Sequence, residues 1–84
     1  MDLLQRLRTF VAVAERGSFA RAAESLSLAR PRVTNAVATL EREMGVRLFH
    51  RTTRRTVLTG EGETLYEATF VHFLILPAAW GDRP

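Results

Sequence analysis

Between residues 2 and 44, apolar side chains recur three times at helical spacing, and each run ends where a helix must stop. Leu3, Leu7, Phe10, Val11 and Ala14 lie three or four apart, which puts them on one face of a helix over 2–16. Asp2 is placed to cap its start, and Gly17 to end it in a left-handed conformation. Ser18 follows at once and is a good N-cap for a short helix over 19–26, with Phe19, Ala22, Ala23 and Leu26 inward. Residues 27–29 leave room only for a turn. Pro31 then falls in the first turn of a third helix over 30–44, where proline is tolerated. Its stripe is Val33, Val37, Leu40 and Met44, closed by Gly45. A chain punctuated in this way must pack helix on helix within one small core. Eighty-four residues form a single domain of marginal size, for which a partner subunit would add stability.

After Gly45 the period changes. Val46–Phe49 and Thr56–Thr59 are short β-type runs around a polar middle, and they read as a two-stranded hairpin with 51–55 at its tip. Thr59 is placed to cap a fourth helix over 60–76, with Glu61 and Glu63 favourable to its dipole. Leu65, Tyr66, Thr69, Phe70 and Phe73 would form its apolar face, and Pro77 would end it. Composition shifts near residue 70, and 77–84 reads as an atypical tail.

Charge narrows the function. The net charge is +3, all basic residues are arginine, and no acid lies between Glu43 and Glu61. Arg47, Arg51, Arg54 and Arg55 therefore have no local counter-charge in sequence, a pattern that favours a polyanion partner. Arg51 and Arg47 have a second reading, as ion-pair partners of Glu41 or Glu43. The chain has no cysteine, which excludes disulfides and thiolate metal sites. His50 and His72 are lone histidines, so no metal or other cofactor is expected. Ser18 has no partner base, and no catalytic constellation is visible. The N-terminus lacks the pattern of a secretory signal, and the apolar run at 70–76 is far short of the ~20 residues of a membrane span. A cytoplasmic, nucleoid-associated protein without membrane contact is the expectation.

Two helices joined by a short turn, the second with a polar outer face, suggest a helix-turn-helix. The outer face of the third helix carries Arg30, Arg32, Thr34, Asn35, Ala38, Thr39 and Arg42. Arginine suits guanine O6/N7 and asparagine suits adenine N6/N7 in a major groove. Arg51, Arg54 and Arg55 at a hairpin tip suit the phosphate backbone or a minor groove. Phe10, Phe19 and Phe49 read as core.

Residues 3–69 resemble the N-terminal winged helix-turn-helix domain of LysR-type transcriptional regulators. The resemblance rests on LRTFVAVAERGSFARAAESL and VTNAVATLEREMGVRLFHRTTRRTVLTGEGETLY, spaced without gaps. It implies a mostly α-helical fold, with a three-helix core and a two-stranded β wing over 1–59 and a linker, or dimerisation, helix over 60–76. It also implies sequence-specific binding of double-stranded DNA as a dimer. The third helix would sit in the major groove, with Arg30, Pro31, Arg32, Thr34, Asn35 and Ala38 at bases or adjacent phosphates. Ser18 would contact phosphate, and Arg54 corresponds to the family's wing arginine. Tyr66, Phe70 and Phe73 read as core or dimer contacts; with Leu65 and Thr69 they would serve the homodimer, since so small a domain leaves little else to cover them.

The chain departs from the family pattern where bases are read. Ala29-Arg30 stands for a common Ser-Gln pair and Thr34-Asn35 for Ser-Arg, so operator preference does not transfer. Family members continue into an effector-binding domain of two α/β lobes, and a sequence of 84 residues is expected to hold no effector site. The other reading is a protein-interaction or dimerisation module of a truncated regulator, with the apolar tail as its surface.

Overall fold

The structure is a computed structural model that describes residues 1–52 and 55–75, the last six as helix backbone. Four helices and one hairpin follow in the order α1 (Leu3–Arg16), α2 (Phe19–Leu26), α3 (Arg30–Met44), β1 (Phe49–Arg51), β2 (Thr56–Leu58) and α4 (Gly60–Ile75). The three-helix core, the two-stranded wing and the following helix are those expected from the sequence.

Capping fixes most boundaries. Asp2 and Gln5 form a reciprocal capping box at α1, which satisfies two otherwise orphaned amides. Ser18 Oγ accepts the Arg21 amide at 3.1 Å to start α2. Gly17 and Gly45 end α1 and α3 at positive φ, where a Cβ would be strained. Ala29 gives α3 no side-chain cap, and Pro31 takes up part of that deficit because it carries no amide to satisfy. Thr59 Oγ1 accepts the Gly62 amide at 2.9 Å and donates to the Arg47 carbonyl at 2.6 Å, so one hydroxyl both opens α4 and ties it to the residue preceding Leu48.

The helices enclose Phe10, Val13, Ala22, Val33, Val37 and Leu40, and the hairpin adds Leu48 and Phe49. Three stripe residues, Leu3, Leu26 and Met44, do not join them. Leu3 is 55% exposed and Met44 46%, at the first residue of α1 and the last of α3, and Leu26 is half-buried at the end of α2. Val13 and Ala36, outside the expected stripes, are buried instead.

The first strand starts later than the sequence suggests, at Phe49 rather than Val46. Residues 45–48 are used in leaving the helix. The amides of Gly45 and Val46 both return to the Glu41 carbonyl, and the Leu48 amide donates to the Glu41 carboxylate at 2.8 Å. The two strands pair antiparallel, with Phe49 opposite Leu58, His50 opposite Val57 and Arg51 opposite Thr56. Residue 76, expected within the fourth helix, and the tail 77–84 lie outside the described residues.

Gly62, in the first turn of α4, is buried against the strand connection. A Cβ there would overlap the Leu48 carbonyl oxygen and press on Leu58 Cδ2. Helix propensity alone would make Gly62→Ala stabilising by ~1 kcal/mol. The overlap involves backbone, which cannot swing aside, so Gly62→Ala should instead destabilise by ~1–3 kcal/mol. Urea unfolding followed by circular dichroism decides the sign.

Candidate nucleic-acid interface

The N-termini of α2 and α3 and the inner edge of the wing converge on one open cleft of about 230 Å³. Gly17, Ser18 and Phe19 form one wall, Arg30 and Thr34 the second, and Arg51, Thr52, Arg55 and Thr56 the third. The volume is below the ~300 Å³ at which small-molecule pockets begin. It is suited to a compact anionic group such as a phosphodiester, facing helix N-termini that favour negative charge.

The α3 surface beside the cleft is polar and open. Arg30, Pro31, Arg32 and Asn35 are exposed, and Thr34 and Ala38 are half-buried. Further along, Arg42 donates to Thr39 Oγ1 at 3.2 Å, so these two partly satisfy each other. The wing tip closes through Thr52 and Arg55. The Thr52 amide donates to the Arg55 carbonyl at 2.8 Å, and the Arg55 amide donates to Thr52 Oγ1 at 3.0 Å. Arg54, the expected wing arginine, lies outside the described residues.

Ion pairing follows one of the two sequence readings for Arg47 and departs from the ion-pair reading for Arg51. Glu43 pairs with Arg6 at 3.1 Å and so joins α3 to α1. Glu41 pairs with Arg47 at 3.6 Å, which means Arg47 is not part of the uncompensated group. Arg51 has neither acid. It belongs to β1 rather than to the tip, and its guanidinium lies over the Phe19 ring, with Cζ 4.1 Å from the centroid. Among the described residues, Arg30, Arg32, Arg51 and Arg55 have no carboxylate within ion-pair distance.

Sequence reasoning did not single out Thr52, Thr56 or Phe19 as part of this surface. A signal for Phe19 was present. Alternation along a strand puts Phe49 and Arg51 on one face, so the arginine follows the core phenylalanine onto the same neighbour. Among the described residues, no group of three or more His, Asp or Glu is placed to hold a metal ion. No described helix is long and apolar enough to cross a membrane.

Residues 4–63 match the family model for bacterial regulatory helix-turn-helix proteins of the lysR family. This chain belongs to the lysR family. Over 67 residues it is 46% identical to an HTH-type transcriptional repressor of Pseudomonas aeruginosa, an alignment covering 80% of this chain and 21% of the relative. It is equally identical, over the same length, to the HTH-type transcriptional regulator DmlR of Escherichia coli, covering 22% of that protein. The chain thus spans about a fifth of the length of these relatives. Among solved structures, the complex of the BenM DBD with catB site 1 DNA superposes with a TM-score of 0.85 at 34% identity, covering 94% of this chain and 87% of that one. The CbnR DBD–DNA complex gives 0.84 at 36% identity, covering 99% and 93%. The fold is therefore the winged helix-turn-helix DNA-binding domain of lysR-family regulators.

In this lysR-family domain α4 lies against α1. Leu65 and Tyr66 are half-buried on the core, and Thr69 is buried with its hydroxyl donating to the Leu65 carbonyl. Leu65 and Tyr66 thus follow the core reading in part, since the core covers part of each. The side chains of Phe70 and Phe73 lie outside the described residues. The Tyr66 hydroxyl donates to a Glu15 carboxylate oxygen at 3.1 Å. Burial, then the hydrogen bond to Glu15 and its negative charge, raise the phenol above its ordinary value. A raised folded-state value means the neutral phenol stabilises the fold. That contribution is complete below the unfolded value of ~10 and is lost as pH rises through the folded value. Tyr66 is the sole tyrosine, so alkaline absorbance titration reads it directly. Its midpoint should fall toward ~10 in Glu15→Gln. Tyr66→Phe should flatten the loss of thermal stability in the same alkaline window.

Proposed function

We propose that this domain binds double-stranded DNA in a sequence-specific manner and acts in bacterial transcription regulation, with α3 in the major groove and the wing at the flanking minor groove. The single observation that carries the reading is the convergence of Arg30, Arg51 and Arg55 on the cleft between α2, α3 and the wing, without carboxylate partners among the described residues. A wing and a helix that share one phosphate-sized cleft are placed to hold one DNA backbone between two grooves. In this reading Arg30, Pro31, Arg32, Thr34, Asn35 and Ala38 face bases or neighbouring phosphates. Ser18, Arg51, Arg54 and Arg55 serve the backbone and minor groove. The DNA complexes of the BenM and CbnR DBDs, which share this fold, support it.

The role is recognition rather than catalysis, as for the regulators to which the chain is similar, and its setting is the bacterial cytoplasm. In this reading residues 1–59 are the reading unit, and α4 pairs with its mate in a homodimer. The α4 sequence turns from acidic, with Glu61, Glu63 and Glu67, to mostly apolar over 70–75, and in this reading that apolar run is what the mate helix covers.

Selection from random duplexes at two salt concentrations tests the whole reading. Asn35→Ala should flatten the preference at one base position by ~1–3 kcal/mol. Arg55→Ala should weaken binding to all duplexes alike and reduce the slope of log K against log salt by ~0.9. If both variants select the same operator with unchanged affinity, α3 and the wing do not read DNA.

A further inference from the structure

The contact between Arg51 and Phe19 has a consequence for how the cleft works. Phe19 is the first residue of α2, directly after the Ser18 cap, and is 6% exposed. Its ring packs edge-on against Phe49 at 5.7 Å between centroids, and Phe49 packs in turn on Phe10 at 5.4 Å. The ring is therefore fixed by the core. Arg51, two residues after Phe49 on the same strand, covers it. Arginine side chains on a protein surface ordinarily sample many rotamers, and ordering one on binding costs free energy. A guanidinium resting on a fixed aromatic ring is ordered in advance. Its N–H donors radiate in its own plane, so a ring below the plane occupies none of them. Arg51 remains exposed, lines the cleft, and has no ion-pair partner among the described residues.

We infer that Phe19 is a positioning residue for DNA binding: its ring holds the Arg51 guanidinium pre-oriented toward the phosphate that occupies the cleft. The inference rests on the DNA-binding reading above and adds the identity of the group that orients the arginine. It assigns a functional role to a side chain that burial alone would place with the core.

The test is a double-mutant cycle on the full 84-residue chain, read by fluorescence anisotropy with a random-sequence duplex pool at several salt concentrations. Arg51→Gln should lower the salt slope by ~0.9, the signature of one lost phosphate contact. Phe19→Leu should weaken binding about two- to five-fold while Arg51 is present, the size of a surface cation–π contact. The same change should have no effect in the Arg51→Gln background. Arg51→Lys keeps the charge but not the planar stacking group, so it should retain the salt slope and lose affinity by a similar factor. Because Arg51 is exposed, this variant decides the matter even if Phe19→Leu does not fold. Equal weakening by Phe19→Leu in both backgrounds, or an Arg51→Lys indistinguishable from the parent, overturns the positioning role while leaving DNA binding intact. A parent chain that binds no duplex at any salt concentration overturns the DNA reading, and the positioning role with it.

Discussion

Phe49 is the contact on which the two halves of the domain depend. It is the first residue of the wing, it is buried, and its ring meets Phe10 of α1 and Phe19 of α2. A two-stranded hairpin is marginal in water at best and needs a hydrophobic surface to rest on. Here the strands are three residues each, so pairing alone cannot set their direction. The aromatic cluster sets it. Truncating such a ring costs ~3–5 kcal/mol and would leave the wing without an anchor. Everything beyond Phe49 takes its placement from that anchor: Arg51 on the same strand face, the Thr52–Arg55 closure, and the cleft shared with α2 and α3.

A second constraint comes from Glu41. It lies on α3, and its carboxylate accepts the amide of Leu48 just before the wing. Its backbone carbonyl meanwhile accepts Gly45 and Val46. One residue thus ends α3 and aims the chain that leaves it. Charged groups that accept backbone amides form stronger bonds than neutral ones. The Arg47 contact is less important, since Arg47 is 72% exposed and exposed pairs contribute little. The acids of this domain therefore hold its frame, with Glu43 on Arg6, Glu41 on Leu48 and Glu15 on Tyr66. Among the described residues, they leave the arginines around the cleft without counter-charge.

How much of this was legible in the sequence follows from the range of the forces involved. Helix ends were legible because capping is local: Asp2, Gly17, Ser18, Gly45 and Thr59 each act within a few residues of themselves. The α2 boundaries agree to the residue, since both a cap and a short apolar face fix them. The start of β1 was not legible, because it is set by a Glu41 side chain seven residues back. The Arg47–Glu41 pair, six residues apart, was among the readings the sequence offered, whereas the partner of Glu43 was not, for the same reason. Arg6 and Glu43 are 37 residues apart, and only the packing of α1 on α3 brings them together. Of the candidate site, the side chains at the start of α3 were readable as a polar face opposite an apolar stripe. The cleft was not, because three separate segments build it.

The same distinction bears on why Arg51 was ambiguous. In sequence it is one of several wing arginines, and its two readings, surface contact or ion pair, differ only in what lies across from it. Tertiary structure supplies a third neighbour, an aromatic face, that neither reading contains. A cation on a ring is a weak contact, ~0.5–1 kcal/mol at an exposed site, far too small to direct folding. It is large enough to bias one side chain among a few rotamers. The division of labour follows from these magnitudes. Aromatic packing worth several kcal/mol fixes the wing, and a contact about a fifth as strong orients the charge it carries. That order lets the cleft keep its arginine both exposed and directed, which a buried ion pair would prevent.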